Sequence, residues 1–311
     1  MLLLQSRPPE AVFDLWADWL LRKRSGSDQD HAVALNTKLF GYADRVLDAA
    51  GLQAGMTLLD LGTGDGLLTF RALERMQGEL NVIMADRSPA IIRLAAALAL
   101  SEGHADHCRQ VQTDAEDLAG IADASVDVVA TRSVLAYVPD KPAAFRSMHR
   151  VLKPGGRFTI GEPVMREDAL HAVALRTVTR QRPEWHTDRL LPLLHRWKAA
   201  QYPDTLEGLE TTPYTNFSQT DLLLQAQEAG FTDLDLHLHV HSENRQPMAW
   251  TTFINLSPHP LAPTLGTIMR EQFTQAEREI LESALRPTVE TGAYVLVERM
   301  AYLSGTKPTY N

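Results

Sequence analysis

The chain has 311 residues, 44% of them hydrophobic and 22% charged, enough apolar material for one large core with insertions or for a core and a small cap. Its 30 basic residues against 39 acidic ones give a formal net charge of −9, which argues against a nucleic-acid partner, because phosphate contacts need clustered Lys and Arg. The apolar run Met1 to Leu4 stops at Gln5, too short for a signal-peptide core or a membrane span, so the expectation is a soluble cytoplasmic protein; the single cysteine, Cys108, excludes an intrachain disulfide and a thiolate zinc site and reads as a buried small hydrophobe.

Val12, Leu15, Trp16, Trp19 and Leu20 recur at helical spacing and predict an amphipathic packing helix, followed by a polar linker from Ser25 to Asp30. From Thr57 onward short apolar runs alternate with helical stretches. Thr57 to Leu61, Asn81 to Ala85, Arg109 to Gln112, Val126 to Ala130 and Arg157 to Ile160 are predicted strands, and the alternation implies a parallel sheet with helices on both faces. Ser88 followed by Pro89 marks a helix start that Gly103 closes. Asp140 caps a helix whose Phe145, Met148, Val151 and Leu152 face the sheet, and Pro154, Gly155 and Gly156 end it. Two connections, Pro163 to Phe217 and Ser242 to Gly292, far exceed the usual 2 to 6 or so residues of α/β loops and should carry helices, at Ala169 to Arg180, Leu190 to Ala200 and Gln275 to Glu290. A last strand is expected over Tyr294 to Ser304.

The strongest chemical signal is Leu58-Leu59-Asp60-Leu61-Gly62-Thr63-Gly64-Asp65-Gly66, a strand running into a turn with glycine at every second position. Glycine lets the backbone take positive φ and lets a ligand approach closely; a tight turn without a ligand would also use it. A dinucleotide fingerprint is G-x-G-x-x-G, whereas this is G-x-G-x-G preceded by Asp60, a carboxylate that suits the ammonium of an amino acid and repels a pyrophosphate. Asp86 ends the next strand, about twenty residues on, where an acid accepts hydrogen bonds from both ribose hydroxyls or simply caps a helix. Asp114 and Ala115 end the third strand, placed to meet the exocyclic amine and a ring nitrogen of adenine.

These stretches resemble the class I S-adenosylmethionine-dependent methyltransferases, and more closely the branch that includes the ubiquinone and menaquinone biosynthesis methyltransferases. The matching segments are LLDLGTGDG, the acid in VIMADRS, TDAEDL, DVVATRSVLAYVPD and FRSMHRVLKPGGRF. The likeness covers Leu58 to Glu162 well and Phe231 to Ser304 loosely. It implies a Rossmann-like, doubly wound, mostly parallel seven-stranded sheet with N-terminal helices and helical insertions forming a substrate cap. It also implies S-adenosylmethionine as cofactor and a small-molecule acceptor, the acceptor atom (O, C, N or S) and the oligomeric state staying open. On this reading residues 1–50 pack on or cover the cofactor site, 51–162 form the cofactor-binding core and 163–217 the first insertion. Residues 218–241 return a core helix and strand, 242–292 form the second insertion, and 293–311 the final strand and tail.

The resemblance places Asp60, Gly62 and Gly64 at the methionine end, Asp86 at the ribose, and Asp114 with Ala115 at the adenine; Thr63, Gly66, Arg87, Arg132 and Ser133 complete the expected cofactor set. Tyr42, on the helix before the sheet, either closes over the cofactor or packs in the core. Arg132, Tyr137 and Glu162 are the candidates for acceptor chemistry. Arg132 would hold an anionic or enolised acceptor or form a structural salt bridge, and Glu162 should face the substrate side. A His found after the fourth strand in many small-molecule relatives is replaced here by Ala136 and Tyr137, so that base is absent or elsewhere. His237, His239 and His241 alternate along a strand, but ligation by same-face neighbours needs a bulge and Asp233 and Asp235 suggest a solvated face, so no metal is expected. His171, Arg176, Trp185, His186, Arg189, His195, Trp197 and Tyr214 populate the first insertion, either as an apolar pocket with polar anchors or as an ordinary helical cap. A nicotinamide-dependent oxidoreductase and a non-catalytic cofactor-binding module are the competing readings.

Overall fold

The computed structural model describes residues 14–181 and 189–309; Val12, Trp185 and His186 lie outside the described residues. The Asp14 carboxylate accepts from the amides of Trp16 and Ala17 and starts a short helix, α1 (Leu15–Asp18), which continues into one wide turn over Trp19–Lys23. Asp28 caps α2 (Gln29–Asp48), so this helix begins inside the stretch predicted as a linker. The Asp28 side chain supplies the acceptor that the first turn of any helix needs.

The sheet-forming half follows in strict alternation: β1 (Thr57–Leu61), α3 (Leu67–Arg75), β2 (Asn81–Asp86), α4 (Pro89–Ser101), β3 (Cys108–Gln112), β4 (Val126–Arg132), α5 (Lys141–Val151) and β5 (Leu152–Pro163). The remainder supplies α6 (Arg166–Gln181), α7 (Leu191–Gln201), α8 (Leu206–Thr211), α9 (Gln219–Glu228), β6 (Thr232–Asn244), α10 (Trp250–Asn255), α11 (Leu265–Gln272), α12 (Gln275–Thr291) and β7 (Val295–Thr306). The seven strands form one doubly wound sheet in the order β3-β2-β1-β4-β5-β7-β6. Pairings among β1 to β5 are parallel, and β7 runs antiparallel to both β5 and β6. Strand order reverses between β1 and β4, the switch point at which open sheets bind ligands.

Successive side chains of a strand point to opposite faces, and β1 divides accordingly. Leu59 joins Ile83, Val129, Phe145, Met148 and Phe158 on one face, where Phe158 lies 4.4 Å from Phe231 and 5.7 Å from Phe145. Leu58 joins Val82, Met84 and Val128 on the other, covered by Ala43, Val46, Leu68 and Leu73 of α2 and α3. Cys108 is buried, and burial pushes its thiol up to about 11.

The two long insertions do not fold separately. Leu193 of the first packs with Trp250, Leu265, Ile268, Phe273, Leu281 and Val289 of the second, while Ala169, Ala172, Tyr202 and Leu209 of the first belong to the main core. The second insertion starts later than the sequence suggests, because β6 stays paired with β7 out to Asn244 opposite Val295. Along β6 the imidazoles of His237, His239 and His241 meet Asp235, Arg45 and Glu243 respectively. Among the described residues no group of three or more His, Cys, Asp or Glu could hold a metal ion, and no helix is long and apolar enough to cross a membrane.

Ile268 is 1% exposed in the core shared by the insertions. Ile268→Ala should therefore lower stability by about 2 to 5 kcal/mol, read as a lower urea midpoint; an unchanged midpoint would show that this core adds nothing to global stability.

Candidate functional site

The site starts from a buried acid. Asp60, at the end of β1, is 1% exposed. Its Oδ2 accepts from the hydroxyls of Thr69 (2.6 Å) and Thr63 (2.8 Å) and from the Thr69 amide (3.2 Å), which fixes the start of α3 against the strand. Its Oδ1 is buried and has no donor among the described residues. Burial raises the pKa of this carboxyl, opposed by those hydrogen bonds and by the charge of Arg132.

The turn that follows needs glycine for two different reasons. Gly62 has φ +70°, and a Cβ there would stand 2.1 Å from Val134 Cγ2. Gly64 has φ +55°, which favours glycine, while a Cβ there would make only ordinary van der Waals contact, with Leu20 at 3.8 Å. Asp86, at the end of β2, accepts from the Ser88 amide (2.9 Å) and the Gly64 amide (3.3 Å). Burial, reinforced by the charges of Asp60 and Asp14, pushes its carboxyl up to about 6 against those hydrogen bonds. Asp114, past the end of β3, is half exposed and pairs with Arg87 at 3.2 Å, while Ala115 beside it is buried.

The N-terminal segment roofs this row of carboxylates. The Trp16 ring lies edge-on to Tyr137 at 5.6 Å, with the Arg87 guanidinium 5.8 Å from its centroid. Trp19 Nε1 donates to the Ser257 carbonyl (3.1 Å), and the Ser257 amide donates back to the Lys23 carbonyl (3.0 Å). α1 and the turn after it are thereby tied to the second insertion.

These elements enclose a cavity of about 1220 Å³. One wall is Asp60, residues 62–65, Asp86 and Asp114; Arg132, Ser133 and Tyr137 line it as well. The far wall comes from Met165, Asp168, Trp197, Lys198 and Tyr202 of the first insertion, Met248, Phe253, Leu265 and Val289 of the second, and Tyr294 and Arg299 near and on β7. Burial raises the Asp168 carboxyl and lowers the Lys198 ammonium, each offset in part by the other's charge. The ammonium also sits 4.6 Å from the Trp197 ring centroid.

A family model described as a methyltransferase domain matches residues 52–212, from just before β1 into the first insertion. The chain belongs to the methyltransferase-domain family. Among its relatives, a ubiquinone/menaquinone biosynthesis C-methyltransferase of Idiomarina loihiensis is 39% identical over 116 residues, covering 37% of this chain and 46% of that protein. The enzyme of the same name from Legionella pneumophila is 27% identical over 236 residues, covering 71% of this chain and 88% of its own. The solved structure of phosphoethanolamine N-methyltransferase 2 from Haemonchus contortus, with phosphomonomethylethanolamine and S-adenosylhomocysteine, shares the fold at TM-score 0.51 and 17% identity, over 94% of this chain and 57% of that one.

Of the expected site residues, Tyr42, Asp60, Gly62, Thr63, Gly64, Asp86, Arg87, Asp114, Ala115, Arg132, Ser133 and Tyr137 all line the cavity. Tyr42 does so while donating to Glu298 of β7 (2.8 Å). Gly66 stands behind the wall as the left-handed residue that opens α3. Glu162 must be corrected. It is fully buried, and its two oxygens accept from the amides of Val134 and Ala136, 3.0 Å each; it holds the loop after β4 rather than facing the acceptor. Of the first insertion's candidates, Arg176 and His195 pair with Asp204, Arg189 is exposed, and Tyr214 packs on His259.

Trp16, Arg24, Asp65, Asp168 and Lys198 line the cavity and were not nominated from sequence. Asp65 could have been found, since it lies inside the glycine run; nothing local distinguishes the others.

Because both Glu162 oxygens act as acceptors, Glu162→Gln turns one of them into a donor facing a backbone amide. Urea denaturation should show a loss of about 1 to 3 kcal/mol. Wild-type stability in the variant would remove Glu162 as the anchor of this loop.

Proposed function

We propose that this protein transfers a methyl group from S-adenosylmethionine to a small-molecule acceptor. The observation that carries the reading is the buried, unpartnered Oδ1 of Asp60 in a cavity wall shared with Asp86 and Asp114. An acceptor oxygen without a donor suits a bound ammonium, and Asp86 and Asp114 sit where hydroxyls and an amine would be met next. A pyrophosphate would face the Asp60 carboxylate at the same place, which disfavours a nicotinamide cofactor.

On this reading Asp60 and residues 62–65 hold the amino-acid end, Asp86 the ribose and Asp114 with the Ala115 amide the base. S-adenosylmethionine bound there supplies a methyl group on a positively charged sulfur, ready for displacement by an acceptor. The chain's own work is then alignment and exclusion of water. Met165, Trp197, Phe253, Leu265 and Val289 give the far wall an apolar surface, consistent with a substrate cap built jointly by residues 163–217 and 245–294. Asp168, whose carboxyl burial makes more basic, is the group on that side suited to take an acceptor's proton. The acidic net charge disfavours a nucleic-acid acceptor, and a single buried cysteine suits a reducing compartment such as the cytoplasm.

Calorimetric titration should give saturable binding of S-adenosylhomocysteine and none of NADH; the reverse result would sink the methyltransferase reading in favour of an oxidoreductase. Asp86→Ala should weaken S-adenosylhomocysteine about 10- to 100-fold through lost charge-assisted hydrogen bonds, and wild-type affinity in the folded variant would remove Asp86 from the site.

The same residue predicts a pH dependence. Ribose hydroxyls donate to the ionised carboxylate, so a bound ligand lowers the Asp86 pKa from about 6 and protonation competes with binding. Affinity for S-adenosylhomocysteine should hold above neutral pH and fall as pH drops through about 6. Asp86→Asn should lack that inflection; titrations between pH 5 and pH 8 check both proteins.

A further inference from the structure

The amino-acid end of S-adenosylmethionine is a zwitterion, so a complete site needs both an acceptor for the ammonium and a donor for the carboxylate. Among the described residues the cavity lining holds one buried acceptor atom without a partner, Asp60 Oδ1, and three such donors, Arg24 Nη1, Trp197 Nε1 and Arg245 Nε. Of the three donors, Arg24 is the one whose side chain pairs with the glycine turn that follows Asp60.

Arg24 comes from outside the sheet, at the end of the turn over Trp19–Lys23. Its side chain is 14% exposed and reaches the glycine turn, where Nη2 pairs with Asp65 Oδ2 at 2.8 Å. The guanidinium also lies 6.0 Å from the Trp19 ring centroid. One edge of a planar, rigid donor fork is thus fixed by a carboxylate while Nη1 stays buried with nothing to donate to among the described residues. A buried donor left unpaired costs free energy comparable to a lost hydrogen bond, and guanidinium geometry matches a carboxylate in particular.

A second guanidinium is close by. Arg132 is held below its ordinary pKa by burial and by the like charge of Arg24, with Asp65 and Glu162 opposing. Its Nη1 donates to Ser133 Oγ at 3.2 Å. The Glu162 oxygens accept from the amides of Val134 and Ala136. Asp65 is the carboxylate that pairs directly with Arg24, so two cations converge where one ion pair is made. An incoming anion would satisfy Nη1 and relieve the repulsion between them.

We propose that Arg24 binds the carboxylate of the cofactor's amino-acid end, with Arg132 supporting its charge, so that the N-terminal segment selects a ligand that keeps this carboxylate. The proposal rests on the methyltransferase reading, and its test separates the two. The full-length protein is titrated calorimetrically with S-adenosylhomocysteine and with decarboxylated S-adenosylhomocysteine, which keeps the ammonium, ribose and adenine. Wild type should prefer the carboxylate-bearing ligand by about 10-fold or more. Arg24→Met should lose about 10- to 100-fold in affinity for S-adenosylhomocysteine and leave the decarboxylated ligand unchanged. Equal loss for both ligands, or no loss for either, would overturn the assignment while the methyltransferase reading stands. If neither ligand binds wild type, that reading falls and the assignment with it. Should Arg24→Met not fold, Arg24→Gln keeps much of the shape without the charge; a wild-type ratio of the two affinities in Arg24→Gln would equally overturn the role.

Discussion

Asp60 combines two demands that pull against each other. Its Oδ2 gathers Thr63 and Thr69, and in doing so fixes the turn after β1 and the first residues of α3. Its Oδ1 stays buried and unsatisfied, which costs the fold about 1 to 3 kcal/mol. Gly62 is forced by the approach of Val134, Gly64 takes a left-handed φ, and Asp86 accepts from the Gly64 amide; each depends on where Asp60 holds the turn.

Glu162 shows the opposite solution for a buried carboxylate. Both of its oxygens accept from backbone amides of the loop after β4, and Glu162 does not line the cavity. Because that loop carries Ser133, which adopts φ +58°, and Tyr137, Glu162 shapes the cavity without entering it. Asp60 keeps one oxygen without a donor and Glu162 keeps none, a difference that cannot be drawn from residue type.

Much of this was legible in the sequence where local chemistry decides. The parallel strands of the first half show as short apolar runs because both faces of a central strand are buried, and the caps at Ser88 and Asp140 act through neighbouring amides. The row of acids at strand ends follows from chain order alone. What the sequence hid was long-range. Arg24 reaches Asp65 from the turn after α1, Glu162 is claimed by a loop from the preceding strand, and Leu193 meets Val289 only because the two insertions share a core. None of these contacts leaves a periodicity or a capping signature at either end.

The position of β7 sets an order of assembly. It is the final strand of the chain, yet it lies between β5 and β6, and β6 has no other neighbour in the sheet. During synthesis the N-terminal part emerges first, and β1 to β5 each find at least one partner among themselves, although β5 still lacks β7 on its other edge. β6 must wait, and α7 waits as well for α11 and α12, its partners in the insertion core. The strand ends that carry Asp60, Asp86 and Asp114 therefore precede in the chain both the insertions that complete the cavity and the strand that fills the gap between β5 and β6.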